Sequence, residues 1–225
     1  MKKVITIVIV VLVVIAFAVF LFKISPQSTP PSSYNGLVST SGAKHLDQPP
    51  AFDPKTDHYQ GNPNAKNVFI EYGDMQCPAC AAYHDMMKQV PTTFPDTVFV
   101  FRYFPLVQIH QNTVEATLAV EAAGAQGKYW EMHDKLFNTQ SDWEALGDPI
   151  NQFAQYAQQV GVPNIDQFKS DITSKKYLSV IQQDSDQANG LNLQGTPSFF
   201  VNGHSIASGK DLNGLLQEAQ QYLNK

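Results

Sequence analysis

The side chains best suited to chemistry in this 225-residue chain are its two cysteines, Cys77 and Cys80. Pro78 and Ala79 separate them, within the stretch GDMQCPACAAYHD. Two cysteines at this spacing are compatible with a thiol–disulfide redox pair, half of a metal site, or an inert disulfide crosslink. The elements that flank the pair help to decide among these chemistries.

The flanking segments predict a strand before the cysteines and a helix after them. Val68–Tyr72 is a short apolar run that ends at Gly73, which is typical of a buried strand. After Cys80, apolar residues recur at helical spacing. These residues are Tyr83, Met86, Met87 and Val90. We therefore expect a helix to begin at or near Cys77, with Pro78 at its first position, where a missing N–H costs no hydrogen bond.

This placement makes the two cysteines unequal. Cys77 would lie at the positive end of the helix dipole, beside unpaired backbone N–H groups, so its pKa should fall below the ~8.5 of a free cysteine. Cys80, one turn later, should be buried. An exposed attacking thiolate and a hidden resolving thiol are what thiol–disulfide exchange requires.

The two other chemistries are weaker interpretations of the same residues. A crosslink over so short a loop constrains the unfolded chain little. Cys77, Cys80 and His84 do form a C-x2-C-x3-H pattern, but a structural zinc site usually takes four protein ligands and the chain has no further cysteine. We expect no metal at this site and no cofactor, and a metal-binding or copper protein stays as an alternative.

The N-terminus predicts the compartment. Lys2 and Lys3 precede an apolar run, Val4–Phe22, which would span ~29 Å as a helix, about the thickness of a bilayer core. We interpret residues 1–23 as an uncleaved transmembrane signal anchor with the rest of the chain outside the cytoplasm. Residues 24–60, with many Ser, Thr and Pro, are expected to be a flexible linker. The formal charge of −5 argues against nucleic acid as a partner.

Residues 61–225 predict one α/β domain. Thr97–Tyr103 is β-branched and aromatic, as a second strand would be, and a largely helical block follows over about residues 108–190. Strand character returns at Ser198–Val201, and Asn202-Gly203 is a strong signal for a two-residue hairpin. The order indicates a mixed central sheet flanked by helices, with a helical insertion.

Four segments together resemble the DsbA-like branch of the thioredoxin superfamily, and within it the anchored or secreted oxidoreductases of the DsbA/BdbD type. They are VFIEYGDMQCPACAAYH, FRYFPLVQIH, GKYWEMHDKLF and GTPSFFVNG. The resemblance covers roughly residue 62 to the C-terminus. It implies a thioredoxin-like fold with a helical domain inserted after the second strand.

The resemblance also implies roles for individual residues. Cys77 matches the family's nucleophile and Cys80 its resolving cysteine, with Pro78 and Ala79 as the variable dipeptide. Glu71 matches a buried acidic residue that handles protons. In addition, Thr196-Pro197 matches the loop that carries a cis-proline facing the active site.

The dipeptide departs from the family's most oxidising members, which often have histidine where this chain has Ala79. We therefore expect a redox potential between about −120 and about −270 mV. The predicted function is the introduction of disulfides into reduced exported proteins by a membrane-tethered monomer. The resemblance implies a membrane quinone-linked thiol oxidase as its reoxidising partner. A reductase or isomerase of the same fold is the alternative within this class.

Overall fold

The computed structural model describes Tyr34, residues 43–207 and residues 212–223. The predicted anchor at Val4–Phe22 and most of the predicted linker lie outside this part. Among the helices that are described, none combines the length and apolarity needed to cross a membrane.

Five strands form one mixed sheet. They are β1 (His58–Gln60), β2 (Asn67–Gly73), β3 (Thr97–Tyr103), β4 (Ser198–Val201) and β5 (His204–Ile206). Their order across the sheet is β1-β3-β2-β4-β5. The central pair, β2 and β3, is parallel, whereas β1, β4 and β5 each pair antiparallel with their neighbours.

Nine described helices surround the sheet. They are α1 (Pro78–Met87), α2 (Val90–Thr93), α3 (Thr113–Gly124), α4 (Tyr129–Asn138), α5 (Gln140–Trp143), α6 (Ile150–Gln159), α7 (Ile165–Thr173), α8 (Leu178–Gly190) and α9 (Leu212–Tyr222). The six helices from α3 to α8 lie between β3 and β4, which is the range predicted as a helical insertion.

The central strands bury both of their faces. On one face, Phe69 and Phe99 join the larger core with α1 and the insertion helices. On the other face, Ile70 and Val100 join a smaller core that includes Ala188 of α8. Because neighbouring residues of a strand point to opposite faces, strands covered on both sides are apolar without alternation, as observed here.

The C-terminal hairpin has the geometry that its sequence predicts. Asn202 and Gly203 both have positive φ, at 48° and 84°, as a type I′ turn requires. The Asn202 side chain also accepts a hydrogen bond from Val68 N at 2.9 Å, and it donates one to Tyr222 O at 2.8 Å. The turn therefore ties the hairpin to β2 and to the final helix.

The folded part begins before residue 61, the boundary predicted from the sequence. β1 pairs with β3 within the range predicted as flexible linker, and Asp57, just before it, holds the Arg102 guanidinium by two bonds of 2.8 and 3.0 Å. The Arg102 side chain is only 2% exposed. Three consecutive residues of mixed polarity, His58–Gln60, offer no periodicity from which a strand could be predicted.

Replacement of Asp57 by alanine should destabilise the domain, because it leaves the Arg102 guanidinium buried without its carboxylate. We expect the free energy of unfolding to fall by about 3 kcal/mol, as measured by urea denaturation. Asp47→Ala is the matched control, because Asp47 pairs with His45 in solvent; it should change stability by less than about 0.5 kcal/mol. Equal effects of the two substitutions would contradict this account of Arg102.

Candidate active site

Cys77 is the residue at which the chain turns from strand β2 into helix α1. It occupies the N-cap, with extended backbone angles, and Pro78 follows at the start of the helix. The Cys77 carbonyl accepts the first helical hydrogen bond, from Ala81 N at 3.1 Å, while its own N–H donates to Asp74 O at 3.0 Å. The predicted strand, turn and helix are thus confirmed around this cysteine.

Several donors lower the pKa of Cys77 to about 6. The largest contribution is a hydrogen bond from the Cys80 thiol, and the Thr196 side chain and the backbone N–H groups of Cys80 and Ala79 add to it, while burial opposes them. The backbone donors belong to the first turn of α1, where N–H groups have no helical partner. The side chain of Ala79 makes no contribution, so the Cys80 thiol and, to a smaller extent, the helix terminus act in place of a histidine.

Cys77 is not exposed, contrary to the expectation from its position. The residue is 6% exposed, and its Sγ lies 3.4 Å from the Thr196 carbonyl. Gln140 of α5 also donates to the Cys77 carbonyl at 3.2 Å. Both neighbours are more than 60 residues away in the chain, so helix periodicity near Cys77 could not reveal the cover. Pro78 and Ala79 are the exposed residues of the motif.

Cys80 is fully buried, as predicted, and it lies against Glu71 of β2. Burial is the main cause that raises the pKa of Cys80 well above its usual value, followed by the hydrogen bond to Cys77 and the charge of Glu71. Burial also raises the pKa of Glu71 to about 8, and the negative charge of Cys77 adds to the effect, whereas a hydrogen bond with Cys80 opposes it. Glu71 is therefore protonated at neutral pH and in contact with the buried thiol.

The Thr196–Pro197 peptide bond is cis and lies at the entry to β4. β4 pairs with β2 in antiparallel register, with Ser198 opposite Tyr72. This register carries Thr196 past the end of β2, where its carbonyl meets Cys77. All seven residues predicted for the site, from Glu71 and the CPAC motif to this loop, are thus brought to one end of β2.

A buried polar network behind Cys77 was not predicted from the sequence. The Asp74 carboxylate accepts four hydrogen bonds, which come from Gln76 N, Leu106 N, Thr113 Oγ1 and His110 Nδ1. Although burial acts to lower the pKa of His110, the hydrogen bond and charge of Asp74 raise it, and the negative charge of Cys77 contributes. Asp74 and His110 are 36 residues apart, so no local motif links them.

The C-x2-C-x3-H metal pattern is not assembled as a site. His84 Nε2 lies 3.2 Å from Asp134 Oδ1. In the described part of the chain, potential metal ligands gather at His84, His133 and Asp134 rather than at the cysteine pair. At the cysteine pair, the Cys80 thiol donates a hydrogen bond to Cys77 and the two thiols differ in pKa, which suits thiol–disulfide exchange.

Comparison with known proteins identifies a family. The family model described as Thioredoxin matches residues 53–218. Among curated proteins, a relative named Na(+)/H(+) antiporter NhaA 1, from Mycobacterium sp. (strain KMS), is 38% identical over 154 residues. That match covers 67% of this chain but 24% of the relative. The chain therefore spans about a quarter of the length of the first curated relatives that it matches.

Solved structures with the same fold include two bacterial proteins. Oxidised BdbD from Bacillus subtilis superimposes with a TM-score of 0.68 at 23% identity, covering 80% of this chain and 98% of BdbD. A thioredoxin-like oxidoreductase from Silicibacter pomeroyi superimposes with a TM-score of 0.62 at 24% identity, covering 75% and 92%. These similarities confirm the predicted thioredoxin-like fold.

The network behind Cys77 gives a testable electrostatic prediction. Because the Cys77 thiolate raises the pKa of His110, a protonated His110 must in turn favour the thiolate. We expect His110→Ala to raise the pKa of Cys77 from about 6 by less than about one unit. The pKa is measured from thiolate absorbance in the ultraviolet during a pH titration of the reduced protein. His204→Ala, at an exposed position on β5, is the control, and an unchanged pKa in His110→Ala would refute the coupling.

Proposed function

The chain belongs to the thioredoxin family whose model matches residues 53–218, and on that basis we propose that it is a membrane-anchored, extracytoplasmic thiol–disulfide oxidoreductase. Its proposed reaction is the introduction of disulfide bonds into exported proteins through Cys77 and Cys80. One observation carries this proposal. Cys77 lies at a helix N-terminus with its pKa lowered to about 6, and it contacts a buried second thiol whose pKa is raised.

The proposed reaction has two exchange steps and begins with the Cys77–Cys80 disulfide. A client thiolate attacks the Cys77 sulfur, the S–S bond breaks, and Cys80 leaves with the electron pair. The second thiolate of the client then attacks the client sulfur of the mixed disulfide and expels Cys77 as a thiolate. The client loses two electrons to the enzyme and gains a disulfide, and both cysteines of the enzyme end reduced.

Glu71 is the proposed proton donor for the first step. The leaving Cys80 sulfur is buried and its pKa is raised, so it needs a proton as it leaves. Glu71 is in contact with it, and since the pKa of Glu71 is about 8, this carboxyl carries a proton at neutral pH. The same group would accept that proton when the enzyme is reoxidised.

The oxidising direction is supported by the stability of the Cys77 thiolate. Whatever stabilises this thiolate stabilises the reduced enzyme, and so makes its disulfide a stronger oxidant. With a Cys77 pKa of about 6, most of the reduced enzyme carries the thiolate at pH 7. A potential above the reducing end of the thioredoxin range follows from this, although no histidine stands at position 79.

The proposed location and partners rest on the N-terminal sequence and the family resemblance. The apolar run Val4–Phe22 after two lysines supports a single-pass anchor with the domain outside the cytoplasm, where disulfides persist. Reduced exported proteins are the proposed clients, and a membrane quinone-linked thiol oxidase is the proposed reoxidising partner. The antiport in the name of the curated relatives belongs to proteins of which this chain matches only about a quarter, so it forms no part of this proposal.

The direct test is oxidation of reduced ribonuclease A by the full chain, together with the redox potential of the Cys77–Cys80 pair. We expect the wild type to accelerate recovery of ribonuclease activity and Cys77→Ser to abolish the acceleration. Cys80→Ser should abolish it as well, because without Cys80 there is no Cys77–Cys80 disulfide for the client thiolate to attack. Unchanged activity in Cys77→Ser would exclude the mechanism. A redox potential of about −270 mV for the cysteine pair would favour the reductase alternative.

Glu71→Gln tests the proton donor separately. We expect reduction of its disulfide by a small dithiol to be at least about ten-fold slower than in the wild type at pH 7, as followed by stopped-flow fluorescence. Burial raises the pKa of the wild-type carboxyl, but the carboxyl still loses its proton in alkaline solution, so the ratio of the two rates should fall towards one as the pH is raised. Glu131→Gln, at an exposed position, is the control. A rate ratio that does not depend on pH would remove Glu71 from this role.

A further inference from the structure

His84, His133 and Asp134 meet between the helix that carries the cysteines and the first part of the helical insertion. His84 lies on α1, whereas His133 and Asp134 lie on α4. His84 Nε2 is 3.2 Å from Asp134 Oδ1, and His133 Nδ1 is 3.8 Å from the same oxygen. One ligand atom of each residue lies within 4.8 Å of the others.

The polar atoms at this junction are buried and poorly paired. Both histidine side chains are 3% exposed. His84 Nε2 and Asp134 Oδ1 lie within ion-pair distance of each other, but these two atoms and both ring nitrogens of His133 are buried in a geometry that makes no hydrogen bond within the described residues. A buried polar group without a hydrogen bond costs about 1–3 kcal/mol, so the two ring nitrogens of His133 in particular call for an explanation other than packing.

The ring of His133 is packed among aromatic side chains, and its polar neighbour is Asp134, whose Oδ1 lies 3.8 Å from Nδ1. Phe101 and Phe137 contact its ring edge to face, with centroids at 4.5 and 4.9 Å, and Trp130 does so at 5.2 Å. An apolar environment disfavours the imidazolium form, and the neutral imidazole is the form that binds metals. The open side of the cluster is that of Asp134, whose side chain is 25% exposed.

We propose that His84, His133 and Asp134 bind a first-row divalent cation such as Zn²⁺, and that this ion crosslinks α1 to α4. Two imidazoles and a carboxylate form a ligand set that zinc accepts. A tetrahedral zinc with bonds of about 2.1 Å places its ligand atoms about 3.4 Å apart. The two separations of 3.2 and 3.8 Å come close to that value. The site takes three ligands from the protein and leaves the fourth position for water.

The Lys88 ammonium lies at the same junction and would compete with a metal ion for the Asp134 carboxylate. Its Nζ lies 2.5 Å from Asp134 Oδ2, the oxygen that faces away from the histidine contacts. Lys88 therefore neutralises one oxygen of the carboxylate and leaves Oδ1 to the rings. Because a lysine charge beside the site repels a divalent ion, its removal should strengthen metal binding.

The first experiment titrates the untagged, oxidised full chain in detergent with Zn²⁺ in a chelator competition assay. With Cys77 and Cys80 closed as a disulfide, neither sulfur is available as a thiolate ligand. We expect one Zn²⁺ per chain and at least about ten-fold weaker binding in His84→Ala and in Asp134→Asn. His45→Ala, at a solvent-exposed histidine, should bind as the wild type does. Binding that appears only after reduction would place the ion on the cysteines and overturn the proposal.

A second comparison separates a metal site from a purely structural ion pair. Asp134→Asn and Lys88→Met both remove the ion pair between these two side chains. If the pair is purely structural, the two variants should change Zn²⁺ affinity in the same direction or not at all. If Asp134 binds the metal, Zn²⁺ affinity should fall in Asp134→Asn and rise severalfold in Lys88→Met. Equal changes in the two variants, or none, would overturn the proposal.

A spectroscopic measurement covers the case in which a variant folds poorly. Co²⁺ bound to the oxidised wild type should give visible absorption bands typical of nitrogen and oxygen ligands. The bound Co²⁺ should also quench the fluorescence of Trp130, whose ring contacts His133. The variant Trp130→Phe should therefore lose this quenching but keep the Co²⁺ absorption bands. Oxidised wild type without Co²⁺ bands would rule the site out regardless of how the variants behave.

Discussion

The site depends on one constraint, which is that strand β2 ends where helix α1 begins. At that junction Cys77 is the N-cap of the helix, and the backbone N–H groups of Ala79 and Cys80 in the first turn help to lower its pKa. β2 is also the central strand of the sheet, with β3 on one side and β4 on the other. The flanking strands therefore fix what surrounds Cys77: β4 delivers the Thr196 carbonyl, and the segment after β3 delivers His110.

Burial at this junction gives the individual groups their different properties. Burial is the main cause that raises the pKa of Glu71 and of Cys80, and it keeps both groups neutral. Cys77 is less deeply buried, and hydrogen bonds to its charged form outweigh desolvation.

Local patterns predicted the parts of the structure that local physics determines. The strand Thr97–Tyr103 has the predicted bounds because its β-branched and aromatic side chains suit a sheet covered on both faces. Pro78 located the start of α1, and Asn202-Gly203 located the hairpin. Three features join residues that are far apart in the chain: the contacts of Thr196 and Gln140 with Cys77, the Asp74–His110 pair, and the cluster at His84. The spacing of residues in one segment carries no information about such contacts.

The burial of Cys77 also bears on the chemical survival of the protein. A thiolate that persists at neutral pH reacts with peroxides, first to a sulfenic acid and then irreversibly to sulfinic and sulfonic acids. Here the Cys77 sulfur is buried beside the exposed residues Pro78 and Ala79, and it accepts a hydrogen bond from the Cys80 thiol. A sulfenic acid at Cys77 would therefore condense with the Cys80 thiol, with loss of water, to the disulfide from which the proposed reaction starts.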